Sequence, residues 1–517
     1  MNLTSLARPI FARQVRAAGR WADPRGAEEA QRKVLAHLLY KAANTAVGQR
    51  YKFADISTYE QFAATVPVAE YEDIRADVMR MVGGEPSVLW PGRCTRFAQS
   101  SGTSGGKSKY IPVTAEGLRT NHYGGSSYAV AFYLDLYRRS RLFDGKAFIL
   151  GGSFANEIQG LAPGVRVGDL SANLIADINP IVNCFRVPGK EIALLSDWHT
   201  KLPRLIEASV GRNITNISGV PSWFLTVLRG VIERAGASTI HDVWPNLEVF
   251  FHGGIAFGPY REQYRAITDP ERMRYLETYN ASEGFFAVQD RREPGAMRLL
   301  LDSGVFFEFI PLDHVGEPSP RGIVPAWAVE PGHTYALVVT SCNGLWRYVI
   351  GDTVRIESVE PLRISIAGRT NSFINAFGEE LMVWNADDAI AQACHRTGAE
   401  VANYTAAPVY TSDHSKGRHQ WLIEWSTPPA CGTEQFADIL DAELQRVNSD
   451  YQAKRSGNIF LARLQITEAR PGLFDHWLET TGKLGGQRKI PRLSNDRRII
   501  DRMLALNSEL YSISLIT

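Results

Sequence analysis

The secondary-structure pattern written into this chain changes twice, and those two changes limit its architecture more than any other feature. Short apolar stretches at 146–150, 214–217, 247–251 and 273–278 alternate with segments of helical periodicity, which predicts an α/β fold. From 297 to 366 strand follows strand (306–310, 334–339, 346–350, 354–356, 364–366) with turn residues between them, which predicts a β-rich subdomain closing the large domain. Beyond Gly368 a fresh pattern begins, with helix 386–396, strand 420–425, helix 433–447 and strand 462–466. A chain of 517 residues, 44% hydrophobic, is too long for one core. The expectation is a large α/β domain over 1–367, a hinge at 368–371, and a small mobile α+β domain over 372–517.

The N-terminal part reads as helices. Leu6, Ile10, Phe11 and Val15 recur at helical spacing, so an amphipathic first helix is expected to dock on the body, and Ala30, Val34, Leu35, Leu38 and Leu39 form one stripe within 24–66. Thr114 is a candidate N-cap, with Glu116 in the first turn, for a long helix carrying Tyr123, Tyr128, Phe132, Tyr133 and Tyr137. The 56 basic and 55 acidic residues balance, which argues against nucleic acid or an anionic membrane as the main partner. Cys94, Cys184, Cys342, Cys394 and Cys431 lie far apart without C-x-x-C spacing, so neither a disulfide framework nor a zinc site is expected and a reducing cytoplasm fits. No stretch approaches the roughly 18 apolar residues of a membrane helix.

Chemistry concentrates first in the run 99–109, Gln-Ser-Ser-Gly-Thr-Ser-Gly-Gly-Lys-Ser-Lys. Glycines let backbone N–H groups converge on an anion, hydroxyls add donors, and lysine adds charge, a combination suited to a polyphosphate. The run is not a Walker loop, because that pattern needs glycine where Ser101 stands and must open a helix. Here Tyr110-Ile111-Pro112-Val113 reads as a strand, since Pro112 forbids a helix interior, and the loop is expected to join two strands.

Four further motifs follow in order. In 277–284, Glu-Thr-Tyr-Asn-Ala-Ser-Glu-Gly, a strand runs into a polar turn whose Tyr279 can face a purine and whose Glu283 can face a magnesium ion. In 346–352, Trp-Arg-Tyr-Val-Ile-Gly-Asp, the Asp352 carboxylate is expected just past a strand, where it can accept both hydroxyls of a ribose diol. Gly368-Arg369 ends a strand at the expected hinge, and a basic, glycine-rich stretch at 482–492 holds Lys489. Each alone is also consistent with an ordinary turn or solvated loop, and none of them decides the function.

In this order, the motifs resemble those of the adenylate-forming enzymes, and within them the Gretchen Hagen family of acyl-acid amido synthetases. The resemblance is carried by Ser100-Ser101-Gly102-Thr103-Ser104, Gly219-Val220-Pro221-Ser222-Trp223, Phe307-Glu308-Phe309-Ile310-Pro311, Tyr348-x-x-Gly351-Asp352 and Gln487-x-Lys489-x-Pro491-Arg492, and spans nearly the whole chain. It implies an ATP-dependent ligase that adenylates a small carboxylic acid and passes the acyl group to an amino acid. ATP and Mg2+ are the implied cofactors. Ser100, Ser101, Gly102, Thr103 and Ser104, with Lys109, would hold the β- and γ-phosphates. Tyr279 would lie by the adenine, Asp352 on the ribose, Arg369 on ribose or phosphate, and Glu283 on the metal. Lys489 would bridge the acyl carboxylate and the α-phosphate. Tyr123, Val220, Trp223, His252, Gly253, Gly254 and Ile255 would line the acid and acceptor pocket. A thioester ligase and a non-catalytic adenylate-binding protein stay open, and neither acid, amine nor oligomeric state can be read from the residues.

Overall fold

The computed structural model describes residues 2–100, 109–154, 158, 160–254, 257–317, 320–370, 373–374, 379, 381–410, 417–455, 461–481 and 490–513. They fall into two compact units, one from Met1–Ile255 and Tyr264–Ser365, the other from Ala256–Gln263, Ile366–Leu484 and Arg488–Thr517, as far as those stretches are described.

In the first unit the strands in chain order are β1 (Arg96–Ser100), β2 (Lys109–Pro112), β3 (Lys146–Ile149), β4 (Arg166–Gly168), β5 (Arg186–Val187), β6 (Ile214–Gly219), β7 (Val249–Gly253) and β8 (Arg274–Ala281). They continue with β9 (Gly284–Val288), β10 (Met297–Leu299), β11 (Val305–Pro311), β12 (Val324–Pro325), β13 (Thr334–Ser341), β14 (Leu345–Val359) and β15 (Leu362–Arg369). Twelve of them form one sheet in the order β12-β11-β13-β14-β15-β10-β9-β8-β7-β6-β3-β5. Its β5-β3-β6-β7-β8 part is parallel, while β8–β9, β9–β10, β10–β15 and β11–β13–β14 are antiparallel. The parallel strands are apolar on both faces because helices cover them, as the continuous burial of Ile214, Ile217, Val249 and Phe250 requires. The α/β-then-β reading of the sequence is therefore correct.

The antiparallel part holds a buried ion pair. Glu308, 1% exposed, accepts from Arg347 Nε at 3.0 Å and Nη2 at 2.9 Å, and from the Tyr59 hydroxyl at 3.1 Å. Arg347 Nη1 donates to the carbonyls of Ala63 and Val66, so this pair staples helix Tyr59–Thr65 to the sheet.

Two expectations are corrected. The first helix, Leu3–Gly19, docks through Phe11, Val15 and Ala18, whereas Leu6 and Ile10 are 56% and 68% exposed. Arg8 sets its rotation by donating to the carbonyls of Leu134, Tyr137 and Ser140. Gly351-Asp352 does not close a strand, because β14 runs unbroken from Leu345 to Val359. Val338 pairs with Val349 and Ala336 with Thr353, so one residue of β13 faces three of β14. Gly351 takes φ +90° in this bulge, which turns Asp352 without ending the strand.

In the second unit β16 (Phe373–Ile374) pairs β17 (Leu381–Met382), and β18 (Glu400–Tyr410), β19 (Gly417–Thr427) and β20 (Gln465–Ala469) form a three-stranded sheet. Helices Val383–Thr397 and Thr433–Val447 cover it, burying Ile390, Phe436, Leu440 and Leu444 on Trp421 and Ile423. The α+β reading holds here, although β18 is an addition to it and the last strand lies at 465–469 rather than 462–466.

Candidate active site

The parallel strands all end at one edge of the sheet, and their pairing brings the candidate residues there side by side. Gly219 at the end of β6 faces His252 of β7, and His252 and Gly253 face Glu277 and Thr278 of β8. The Thr278 hydroxyl donates to the His252 carbonyl at 3.1 Å. Gly253 is required by this closeness, since a Cβ there would lie 2.3 Å from the Thr278 carbonyl oxygen, and Gly254 follows at φ +83°. Crevices outside the carboxyl ends of such strands are where open α/β sheets bind ligands.

Tyr279 and Asp352, 73 residues apart in sequence, meet at this edge: the tyrosine hydroxyl donates to Asp352 Oδ2 at 2.7 Å, with both side chains buried. The Tyr279 ring packs edge-on against Phe286 at 5.1 Å. This contact fixes the orientation of the Asp352 carboxylate. Glu283 is buried in the turn between β8 and β9. Among the described residues no group of three or more His, Cys, Asp or Glu is placed to hold a metal by itself. One carboxylate next to substrate phosphates is the donor set Mg2+ takes in nucleotide sites, so Glu283 fits that ion and a dedicated protein cage does not.

Ser100 and Lys109 are directly paired at the ends of β1 and β2, which confirms that the intervening loop joins two antiparallel strands. The Lys109 ammonium lies 5.8 Å from the centre of the Tyr71 ring. Ser101, Gly102, Thr103, Ser104, Ile255 and Lys489 lie outside the described residues, as does Asn371 of the expected hinge. Arg369 is the last residue of β15. In the second unit Arg492, three residues past Lys489, forms a partly buried ion pair with Asp387, which also accepts from the Tyr404 hydroxyl at 2.6 Å. The Arg492 carbonyl accepts from Ala406 N at 2.8 Å, so Arg492 anchors its segment to β18.

The pocket candidates divide. His252, Gly253 and Gly254 stand at the carboxyl edge, and Val220 precedes helix Pro221–Ala235 there. The Trp223 ring instead packs edge-on against Trp198 at 4.6 Å. The Tyr123 hydroxyl donates to the Leu174 carbonyl at 2.8 Å and burial pushes its pKa up to about 12, while Tyr128 donates to both oxygens of Asp302 at 2.9 Å.

Sequence reasoning missed four buried polar residues next to this edge. Lys201 donates to the carbonyls of Gly151 at 2.6 Å, Leu195 at 3.1 Å and Gly152 at 3.4 Å, fixing the loop after β3, and burial pushes its pKa down to about 8. Asn121, His122 and Asn343 are buried around the Glu283 turn. The signal available was a Thr-Asn-His run where helix was expected and an asparagine in the β13–β14 turn.

Comparison with known proteins places the whole arrangement. The GH3 family N-terminal, central and C-terminal domain models match residues 23–273, 298–369 and 384–498. The Arabidopsis thaliana protein "Indole-3-acetic acid-amido synthetase GH3.4" is 22% identical over 541 aligned positions, covering 90% of this chain and 89% of its own. The solved structure of "GH3.15 acyl acid amido synthetase" superposes with a TM-score of 0.74 at 18% identity, covering 93% of this chain and 94% of its own. A 2-hydroxyisobutyryl-CoA ligase in its postadenylation state matches with a TM-score of 0.58 at 14% identity, over 94% and 92% of the two chains. The mixed α/β architecture is thus that of adenylate-forming ligases, and this chain belongs to the GH3 family.

Proposed function

We propose that the chain is an ATP-dependent acyl-acid amido synthetase, forming an acyl-adenylate from a small carboxylic acid and transferring the acyl group to an amino acid. The observation that carries this reading is the Tyr279–Asp352 hydrogen bond, which joins two of the family's motifs at the carboxyl edge beside Glu283.

A carboxylate does not condense with an amine at neutral pH, because it is a poor electrophile with no good leaving group. Adenylation removes both obstacles. One oxygen of the acid attacks the α-phosphate of ATP, the bond to the β-phosphate oxygen breaks, and pyrophosphate leaves. The amine nitrogen then attacks the acyl carbon, AMP leaves with the bonding pair, and the amine loses a proton. The protein's contribution is positioning and stabilisation of developing charge.

In this reading Asp352, oriented by Tyr279, holds the ribose hydroxyls, and Ser100 with 101–104 and Lys109 hold the outgoing phosphates. Glu283 would hold Mg2+, whose chemistry there is neutralisation of phosphate charge. Lys489 meets the negative charge that grows on the α-phosphate, and one such contact contributes about 3 kcal/mol to the transition state, roughly a hundredfold in rate. Arg369 contacts ribose or phosphate. His252, Gly253, Gly254, Val220 and Ile255 border the acid, with Tyr123 and Trp223 behind them. Among the described residues no helix is long and apolar enough to cross a membrane, and five free cysteines suit a reducing cytoplasm.

Supplying ATP, Mg2+ and a panel of carboxylic acids together with either amino acids or coenzyme A tests the reading. An N-acyl amino acid and AMP are the expected products. A product formed only with coenzyme A would overturn the amide reading in favour of a thioester ligase, and ATP binding without turnover would favour a non-catalytic binder.

A further inference from the structure

The turn that carries Glu283 is held by a buried polar clamp with no counterpart in the motifs considered so far. After Thr114 the helical backbone is interrupted: following residues 115–116, Gly117–His122 winds as a π-helix before the α-helix Tyr123–Leu136. Such turns cost hydrogen-bond geometry and recur at functional sites. This one places Asn121 and His122 against the Glu283 turn. Asn121 Oδ1 accepts from Phe285 N at 2.7 Å, and its Nδ2 donates to the carbonyls of Phe285 at 3.0 Å and Ser303 at 3.1 Å.

Asn343, fully buried in the β13–β14 turn, closes the other side. Its Nδ2 donates to the Glu283 carbonyl at 3.2 Å and lies 3.5 Å from His122 Nε2, and its Oδ1 accepts from Thr114 N at 3.2 Å. The Thr114 hydroxyl donates to the Cys342 carbonyl at 2.6 Å. Gly117 leaves room for this, since a Cβ there would sit 1.8 Å from Asn343 Oδ1. Burial holds the His122 pKa down at about 4, which keeps its imidazole neutral and able to accept from Asn343.

One side chain therefore ties together the segment just after the 99–109 loop and its strand β2, the Glu283 turn, and the turn that opens β14 toward Asp352. The Glu283 turn carries one of the motifs assigned to ATP, and the other two segments directly follow or precede one. A buried amide with both ends used permits little displacement, because moving any one segment strands a buried donor or acceptor.

We propose that Asn343, beside His122 and with Asn121 holding the same turn at Phe285, is a positioning residue that sets Glu283 in register with the segment that follows the phosphate-binding loop, for metal-dependent nucleotide binding. This rests on the assignment of Glu283 under the proposed function. Asn343 need not touch substrate. Its removal is expected to act on the metal and ATP dependence and not on the acid.

The experiment measures wild type, Asn343→Ala and Glu283→Gln by two readings: the rise in melting temperature on adding ATP with graded Mg2+, and the Mg2+ and acid dependence of pyrophosphate exchange. For Asn343→Ala the Mg2+ needed for the half-maximal melting shift should rise about tenfold, with the KM for acid within twofold of wild type. Asn343→Ser, which keeps a smaller hydroxyl donor, replaces it if the alanine variant does not fold, and should show the same displacement. A lower melting temperature with unchanged Mg2+ and ATP dependence would overturn the proposal, leaving Asn343 a purely structural residue. Glu283→Gln separates the two levels. If it loses the Mg2+ response while Asn343→Ala keeps it, this inference alone fails. If Glu283→Gln keeps the response, the assignment of Glu283 fails and the inference falls with it.

Discussion

Glu308 and Asp352 are both buried carboxylates in family motifs, and each accepts a hydrogen bond from a tyrosine hydroxyl, Tyr59 in one case and Tyr279 in the other. Their settings differ. Glu308 lies in the middle of β11 and is met bidentately by Arg347, inside the sheet and away from the carboxyl edge. Asp352 lies in a β14 bulge, next to a tyrosine at the end of β8. The first is a closed pair that fixes a helix to a sheet, and the second is the carboxylate that the proposed function assigns to the ribose. Motif membership treats them alike, and position on the sheet is what distinguishes them.

Breaking the pairs should therefore produce different losses. Glu308→Ala leaves the Arg347 guanidinium buried without its carboxylate, and a stability loss of about 3–5 kcal/mol is expected by denaturant unfolding. Asp352→Asn should leave unfolding nearly unchanged while raising the KM for ATP roughly 10- to 100-fold, the cost of about 1.5–3 kcal/mol for a hydrogen bond to a charged group. If the two variants swapped signatures, the distinction would collapse.

A pH titration of stability sharpens the contrast at the active edge. The His122 pKa is about 4 when folded against 6.5 when unfolded. Between these values the unfolded chain binds a proton that the folded one does not, so stability should fall as pH drops from 6.5 toward 4, by at most ~1.4 kcal/mol per pH unit. His122→Gln should flatten that part of the curve, and an unchanged slope would remove His122 as its source. The smallest effects belong to the tyrosines. Tyr59→Phe is expected to cost about 1 kcal/mol of stability with unchanged KM for ATP, and Tyr279→Phe to raise that KM a few-fold with little change in unfolding.

Much of the fold was legible because periodicity is a local signal. Strands β3, β6, β7 and β8 of the parallel half and helix Thr433–Val447 follow from it, and Pro112 pointed to the hairpin around 99–109, whereas the two-residue β5 did not show. The misses have physical reasons. β18 contains Ala406-Ala407-Pro408, which weakens a strand reading, yet among the described residues its other side meets only the short bridge at Leu493, so the strand tolerates the missing N–H of Pro408. Gly351 looked like a turn because glycine at positive φ serves a bulge equally well. Leu6 and Ile10 share a helical period with Phe11 and Val15, and period alone does not say which part of a stripe is buried. At the site, motif order pointed to Tyr279, Glu283 and Asp352, but not to Asn121, His122 and Asn343. Asn121 and Asn343 act through backbone groups 60 to 229 positions away, as with Glu283, Phe285 and Thr114, His122 meets Asn343 from 221 positions away, and no short pattern encodes that.

Acid-dependent exchange of labelled pyrophosphate into ATP, compared between wild type and Lys489→Ala, tests the adenylation chemistry most directly. Wild type should exchange only when a suitable carboxylic acid and Mg2+ are both present, and Lys489→Ala should exchange about a hundredfold more slowly. Absence of acid-dependent exchange in wild type across the acid panel, or equal exchange in the two proteins, would contradict it.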